Sequence, residues 1–272
     1  MNTRLQRRIQ RYGWNKAVRY YEQCWKQQLA SAHTRLLSMA DLQPGERVLD
    51  VACGTGIVTC RAAALVGPAG AAIGTDLAEQ MVESARQTAS AQGLRQVTFA
   101  RMDAEDLQFP DAVFDAVLCA LGLMYVPDPL GALHQMHRVL RTGGRAVAAV
   151  WGQRQHCGWA EIFPIVEARV RSDVCPLFFQ LGTADVLAQT FQTAGFKDIV
   201  SERLLTVLYY ASAEEACGAA FDGGPVALAY AHFDTPTRQD AHAEYLAAIE
   251  PYRQGRGYAI PGEFVITSGR KL

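Results

Sequence analysis

The sequence has few of the features that mark a secreted, membrane-spanning or nucleic-acid-binding protein. Its first residues are polar and charged, without an apolar segment, so we expect no signal peptide. The longest apolar run lies within 116–126 and is shorter than the roughly 20 residues that cross a bilayer. Lysine and arginine total 26 against 27 acidic residues, which leaves no basic surplus for a nucleic acid. These absences predict a soluble protein that binds neither a membrane nor a nucleic acid.

Paired cysteines are also absent, although the chain has seven cysteines. None forms a CxxC pair, and their spacing is irregular. Disulfides belong mainly to oxidising compartments, and structural zinc sites use ligands at short, regular spacing. We therefore expect free thiols, a cytoplasmic location and no metal site.

What the chain does have is a globular composition and a regular alternation of strand and helix signals. Half of its 272 residues are hydrophobic and 19% are charged. Seven apolar runs predict strands, at 47–52, 71–76, 97–101, 114–120, 145–151, 199–209 and 262–267. Helical patterns lie between the early runs, so we expect an α/β, Rossmann-like fold: a seven-stranded, mostly parallel sheet with helices on both faces. Such sheets bind ligands beyond the carboxyl ends of their strands, where the strand order reverses.

Two helical stretches lie outside this alternation. Residues 2–40 look helical and end before Pro44-Gly45, and their arginine cluster (Arg4, Arg7, Arg8 and Arg11) is interpreted as a solvated face. Residues 213–252 look helical with a break at 223–225, and they precede the last predicted strand. We therefore expect an N-terminal helical segment at 1–40, a core at 41–212, a helical cap insertion at 213–256 and a last core strand at 257–272.

The turn after the first predicted strand gives the strongest chemical signal, in the run Asp50-Val51-Ala52-Cys53-Gly54-Thr55-Gly56. Glycine is needed where a backbone turns tightly or lies against a ligand. The helix that follows presents free N–H groups at its first turn. Asp76 ends the second strand, where a carboxylate accepts hydrogen bonds from ribose hydroxyls. Thr59 stands where a dinucleotide fingerprint has its third small residue, which disfavours NAD or FAD.

Four segments in order resemble class I methyltransferases that depend on S-adenosyl-L-methionine, most of all the quinone-biosynthesis C-methyltransferases (methyltransferase type 11). They are VLDVACGTG, GTDLAEQMVESAR, MDAEDLQFPDAVFDAVLCALGL and LHQMHRVLRTGGRAVAAVWG. The resemblance implies that the chain is an enzyme with S-adenosyl-L-methionine as its cofactor. It also implies transfer of a methyl group to oxygen, carbon or nitrogen of a small organic acceptor, by in-line displacement.

The resemblance further implies a set of cofactor-binding residues. It places the methionine part on the turn after the first strand, the ribose on Asp76 and the adenine after the second and third strands. An aromatic N-terminal helix would cover the cofactor as a lid, because aromatic faces attract a sulfonium cation. The full set is Tyr20, Tyr21, Asp50, Ala52, Cys53, Gly54, Gly56, Asp76, Leu77, Met81, Met102, Asp103, Ala104 and Cys119.

Methyl transfer asks the protein mainly to align the nucleophile with the methyl group and to exclude water. A general base helps when the acceptor is a neutral hydroxyl, amine or enol, whereas an ionised acceptor needs none. The candidate bases are Tyr125, which follows the fourth strand, and His156, which follows the fifth. We expect a small-molecule acceptor, and a homodimer is left open.

Three alternatives remain at this point. The first is a nicotinamide-dependent oxidoreductase on a similar fold, and the second is a non-catalytic S-adenosylmethionine-binding protein, because fold does not fix function. The third is an arsenite or thiol methyltransferase that would use cysteines among Cys24, Cys119, Cys157 and Cys175.

Overall fold

A twisted sheet lies at the centre of the computed structural model, which describes residues 3–170 and 177–272. Its strands are β1 (Arg47–Val51), β2 (Ala71–Asp76), β3 (Val97–Arg101), β4 (Phe114–Ala120), β5 (Leu140–Trp151), β6 (Lys197–Tyr210), β7 (Arg253–Gln254) and β8 (Gly257–Arg270). The first five strands are parallel in the order β3-β2-β1-β4-β5, and β8 runs antiparallel between β5 and β6. All seven predicted strands are confirmed. The eighth, β7, has two residues and is too short to leave a pattern in the sequence.

Helices flank this sheet. They are α1 (Thr3–Trp25), α2 (Ala30–Ala40), α3 (Ile57–Val66), α4 (Glu79–Ala91), α5 (Pro129–Val139), α6 (Ile162–Glu167), α7 (Val186–Thr193), α8 (Ala213–Cys217), α9 (Ala227–Tyr230) and α10 (Thr235–Ile249). A single π-helical turn at Gly218–Asp222 joins α8 to the segment that leads into α9. Among the residues that the structure describes, no helix is both long enough and apolar enough to span a bilayer.

The central strands are buried on both faces. Val48, Leu49 and Val51 of β1 have no exposed surface, and neither do the side chains of 116–119 in β4 and 146–150 in β5. Parallel strands covered by helices on both faces have continuous apolar sequences, which explains why these runs were readable as strands. The edge strand β6 instead alternates, with Leu208 buried and its neighbours Val207 and Tyr209 exposed.

The strand order reverses next to β1. The chain builds outward from β1 to β2 and β3, then crosses back to place β4 on the other side of β1. The carboxyl ends of β1 and β4 therefore diverge into a crevice, which is where open parallel sheets bind ligands.

The bounds of some helices and of one strand differ from those predicted from the sequence. The N-terminal stretch is two helices, because residues 26–29 form a turn between α1 and α2. The sequence also predicts a helix over 159–171, but the structure has the shorter α6 there, and Arg171 lies outside the described residues. β5 begins at Leu140 rather than at 145, since Leu140 already pairs with Phe114.

Candidate active site

A cavity opens at the carboxyl edge of the sheet, beneath α1. Its empty volume is about 1000 Å³, including the solvent at its mouth. The loops after β1, β2, β3 and β4 form one half, and α1 closes over it. Aromatic residues from several segments form the other half, so the cavity has a polar end and an apolar end.

The loop after β1 is tightly folded at the polar end. Gly54 and Gly56 have φ angles of +54° and +81°, which favour glycine. The Cys53 N–H donates to the Thr75 carbonyl at 2.9 Å and fastens the loop to β2. A β-carbon on Gly56 would lie 2.9 Å from Cβ of Ala85, so this position has no room for a side chain. The glycines let the backbone of the loop lie directly against the cavity.

Asp76 connects this loop to the end of β2. One carboxylate oxygen accepts the Gly54 N–H at 2.9 Å, and the other accepts the Ala78 N–H at 2.8 Å. Burial raises the pKa of Asp76, although these two backbone N–H groups favour its ionised form. Each carboxylate oxygen can accept a second hydrogen bond. Asp76 lines the cavity, so it can accept two hydroxyl groups of a ligand there.

Asp50 lies behind the loop and is 1% exposed. Its Oδ2 accepts the Thr59 hydroxyl at 2.6 Å, and its Oδ1 is buried without a hydrogen-bond partner among the described residues. Burial raises the pKa of Asp50 to about 7. Thr59, the residue that departs from the dinucleotide fingerprint, therefore has a definite role: its hydroxyl holds this buried carboxyl.

The helix α1 covers the polar end. Trp14 and Tyr21 line the cavity with ring centroids 5.7 Å apart, and Trp14 also meets Tyr125 at 5.1 Å. Arg7 pairs with Asp103 at 3.1 Å and with Glu105, both in the loop after β3. These contacts hold α1 across the mouth of the crevice.

Most of the predicted cofactor residues reach the cavity wall. Those that line it are Tyr21, Ala52, Gly54, Asp76, Leu77, Met81, Met102, Asp103 and Ala104, with the candidate base Tyr125 at the boundary of the apolar end. Asp50, Cys53, Gly56 and Cys119 lie behind it and support the loop rather than line the cavity. Burial raises the pKa of Cys119 to about 12, so its thiol is neutral and acts as a packing group.

Two predicted residues lie elsewhere. Tyr20 is 47% exposed and does not line the cavity, because successive helical residues point about 100° apart and Tyr21 takes the inward direction. His156 lies outside the cavity wall, with Nδ1 3.0 Å from a carboxylate oxygen of buried Glu263. Arg203 also binds Glu263, at 2.8 Å. This cluster fastens the turn after β5 to β8 and β6, so the structure places His156 in an ion-pair cluster outside the cavity wall.

The apolar end contains residues that the sequence motifs did not indicate. The rings of Trp151 and Trp159 lie 4.8 Å apart with their planes tilted by 59°. Trp25 meets Trp159 at 6.0 Å, and Phe178 meets Tyr125 at 5.3 Å. Leu29, Met124, Gly224 and Pro225 complete this wall. The residues come from segments far apart in the chain, and only their aromatic character gave a signal.

The cysteines do not gather into a metal-type site in the described part of the chain. Groups of three or more potential ligands from His, Cys, Asp and Glu are absent there. Burial raises the pKa of Cys157 to about 12, and Cys24 is half-buried at the end of α1. Cys175 lies outside the described residues. The described geometry gives no support to the arsenite alternative.

The site combines a glycine-rich loop after β1 with a carboxylate at the end of β2, in a sheet whose strand β8 runs antiparallel to its neighbours. This combination is typical of α/β proteins that bind adenosyl cofactors. Residues 48–144 match the family model of a methyltransferase domain. A demethylmenaquinone methyltransferase of Geobacillus stearothermophilus is 33% identical over 177 residues, which cover 58% of this chain and 74% of that protein. The aklanonic acid methyltransferase of Streptomyces sp. (strain C5) is 40% identical over 111 residues, or 41% of this chain and 50% of that protein.

Among solved structures, phosphoethanolamine N-methyltransferase 2 of Haemonchus contortus, in complex with S-adenosyl-L-methionine, has a TM-score of 0.62 and 16% identity. The match covers 95% of this chain and 57% of that chain and shows a shared fold. The chain belongs to the class I S-adenosylmethionine-dependent methyltransferases, in the group that includes the quinone-biosynthesis enzymes. It is therefore an enzyme that uses S-adenosyl-L-methionine, and the nicotinamide alternative loses its support.

Proposed function

We propose that the protein transfers a methyl group from S-adenosyl-L-methionine to a small, planar, aromatic or quinone-like acceptor. The aromatic wall at the apolar end of the cavity is the main observation for this acceptor class. Flat rings bury large areas between aromatic side chains and pack against them at the edge-to-face distances seen here. The two relatives are named for demethylmenaquinone and aklanonic acid, and these names support the same acceptor class.

The polar end fits the cofactor. Asp76 has one free acceptor position on each oxygen for the ribose hydroxyls. Leu77 and Met81 offer apolar contacts to the adenine, beside Asp103. The Gly54 loop takes the methionine part, and the unpartnered oxygen of Asp50 beneath it favours a positively charged group nearby. Tyr21, with Trp14, covers the position of the sulfonium.

When bound, the cofactor supplies a methyl group that its sulfonium has already activated. The chain's own residues hold the two reactants in line and keep water out, which α1 and the aromatic wall accomplish together. Tyr21 is a poor base, because burial and the nearby Asp76 raise the pKa of its hydroxyl and keep it neutral. It acts as a wall and as a hydrogen-bond donor.

The acceptor itself is proposed to carry the negative charge. In the described part of the aromatic wall, Tyr125 is the only titratable side chain. A phenolate, enolate or hydroquinone anion needs no protein base. In an apolar cavity, attack of such an anion on a sulfonium neutralises both charges, and low polarity favours that reaction.

The proposal is tested by incubating the purified protein with methyl-labelled S-adenosyl-L-methionine and a panel of acceptors. The panel holds a 1,4-naphthoquinol, a hydroxyanthraquinone, phosphoethanolamine and a simple thiol. We expect label in the aromatic acceptors and none in the amine or the thiol. Cofactor binding with transfer only to the amine or the thiol would contradict the aromatic class. Cofactor binding without transfer to any acceptor would favour the non-catalytic alternative.

A Tyr125→Phe variant separates the role of Tyr125 in the aromatic wall from its predicted role as a base, because phenylalanine keeps the ring and lacks the hydroxyl.

A cytoplasmic location and a homodimer stay predictions from the sequence.

A further inference from the structure

The outward side of α1 has an unusual composition. The helix carries six basic residues and one acidic residue, Glu22, in a chain with a net charge of −1. The remainder of the chain is therefore net acidic. Positive charge is concentrated on the helix that covers the active site.

The structure divides these basic residues between two sides of the helix. Arg7 faces inward and binds the loop after β3, whereas four other basic residues are exposed. At 100° per residue, the exposed cations and the exposed large apolar side chains fall on one arc of the helix. This arc, called the outer face of α1, consists of Arg4, Leu5, Arg8, Tyr12, Lys16, Arg19 and Tyr20.

Large apolar side chains lie among the cations of the outer face. Leu5 is 49% exposed, Tyr12 is 50% exposed and Tyr20 is 47% exposed. A face that is merely solvated has no need of these three side chains. Cations attract anionic lipid headgroups, and exposed leucine and aromatic side chains beside them can enter the headgroup region.

We propose that the outer face of α1 docks on an anionic lipid bilayer. The cations complement the negative charge of the lipid headgroups, and Leu5, Tyr12 and Tyr20 enter the headgroup region. The sequence predicts no membrane partner because it lacks a spanning segment, but this absence does not bear on contact with the surface of a bilayer. A nucleic acid would also attract the cations, but it offers no apolar layer for Leu5.

The position of the face connects this contact with the active site. Trp14 and Tyr21, on the opposite side of α1, line the cavity. A bilayer on the outer face would thus lie about one helix diameter, about 10–12 Å, from the site. An apolar acceptor dissolved in the bilayer would then have a short route to the aromatic wall, although the docking itself does not depend on that acceptor.

The test is sedimentation of the full-length protein with vesicles. One set contains equal parts of phosphatidylglycerol and phosphatidylcholine, and the other contains phosphatidylcholine alone. We expect binding to the anionic set, and its loss as the ionic strength rises from about 0.1 M to about 1 M, where the Debye length falls from about 10 Å to about 3 Å. Equal binding to both sets, or no binding to either, would overturn the proposal.

Two triple variants with the same change in charge locate the contact. The first replaces Arg4, Arg8 and Arg19 by glutamine, and we expect a loss of about 100-fold in partitioning, from about fivefold for each cation. The control replaces the exposed Arg95, Lys197 and Arg256 by glutamine, away from the outer face, and should bind as the wild type does. A similar loss in both variants would show that net charge alone acts, and would refute docking by α1.

The Leu5→Ser variant tests the apolar part of the contact. It should weaken vesicle binding while leaving its salt dependence unchanged, since no charge is removed. Circular dichroism and cofactor affinity confirm that each variant is folded. A homopolymeric RNA serves as the competitor. If it displaces the protein from the vesicles, and if its own binding falls as much in the first triple variant as vesicle binding does, the outer face is a nucleic-acid surface and the proposal fails.

Discussion

Replacing Asp76 by asparagine should weaken the binding of S-adenosyl-L-methionine. The substitution keeps the shape of the side chain but converts one carboxylate oxygen to an amide NH₂. Because Gly54 N–H and Ala78 N–H each point at a different oxygen, at 2.9 Å and 2.8 Å, the new NH₂ must face one of these donors. A hydrogen bond is lost there, the ribose hydroxyl on that side loses its acceptor, and the other hydroxyl keeps only a neutral acceptor.

The magnitude follows from these contacts. A hydrogen bond to a charged group contributes about 1.5–3 kcal/mol, so the loss at the ribose alone corresponds to about 10- to 150-fold in the dissociation constant. Displacement of the Gly54 loop would add to this figure. Titration calorimetry measures the constant directly, and Glu79→Gln is the matched control, because Glu79 is an exposed carboxylate three residues further on. An Asp76→Asn affinity within twofold of the wild type would refute the ribose role and the account of the polar end.

Three further predictions concern the buried carboxyl of Asp50, the glycine-rich loop after β1 and the proposed lack of a catalytic base in the protein. Burial raises the pKa of Asp50 from its ordinary value of 3.8 to about 7. Its contribution to the free energy of unfolding is therefore fully present below pH 3.8 and is lost as the pH rises through about 7. Urea unfolding should show this decline in the wild type but not in Asp50→Asn. Gly56→Ala should cost more unfolding free energy than Gly93→Ala, by about 1–3 kcal/mol. Both glycines have positive φ, but a β-carbon on Gly56 meets Ala85, whereas one on Gly93 meets nothing within 4 Å. Equal costs would remove the steric argument. Tyr125→Phe should keep a pH–rate profile that follows the pKa of the acceptor, and a lost alkaline limb in the variant would identify Tyr125 as a base.

The fold was predictable because its central strands carry the clearest signals. The segments 48–51 in β1, 116–119 in β4 and 146–150 in β5 are short, mostly apolar and buried on both faces. The polar half of the cavity was predictable for a related reason. It consists mainly of the turns that follow β1, β2 and β3, and each turn is a short stretch of consecutive residues that leaves a local motif in the sequence.

The phase of α1 was not predictable to the same precision. Tyr20 and Tyr21 are equivalent in composition, and only the packing of the helix decides that Tyr21 faces the cavity. His156 shows a second limit. Its place after β5 is where a catalytic residue would lie, but the buried carboxyl of Glu263, more than a hundred residues later, binds it instead.

The aromatic wall shows the same limit most clearly. Trp25 comes from α1, Trp151 from β5, and Trp159 from the turn that follows, so no local pattern links them. Contacts of this kind depend on long-range packing, which a single sequence does not display. This difference between the polar end and the aromatic wall of the cavity has a functional consequence. In the proposed arrangement, the cofactor binds to the loops at the strand ends. The acceptor, which differs between the two named relatives, would meet side chains that can change one at a time without disturbing those loops. Substitutions in the aromatic wall should therefore alter which acceptor is methylated while cofactor affinity stays constant, and substitutions around Asp76 should do the opposite.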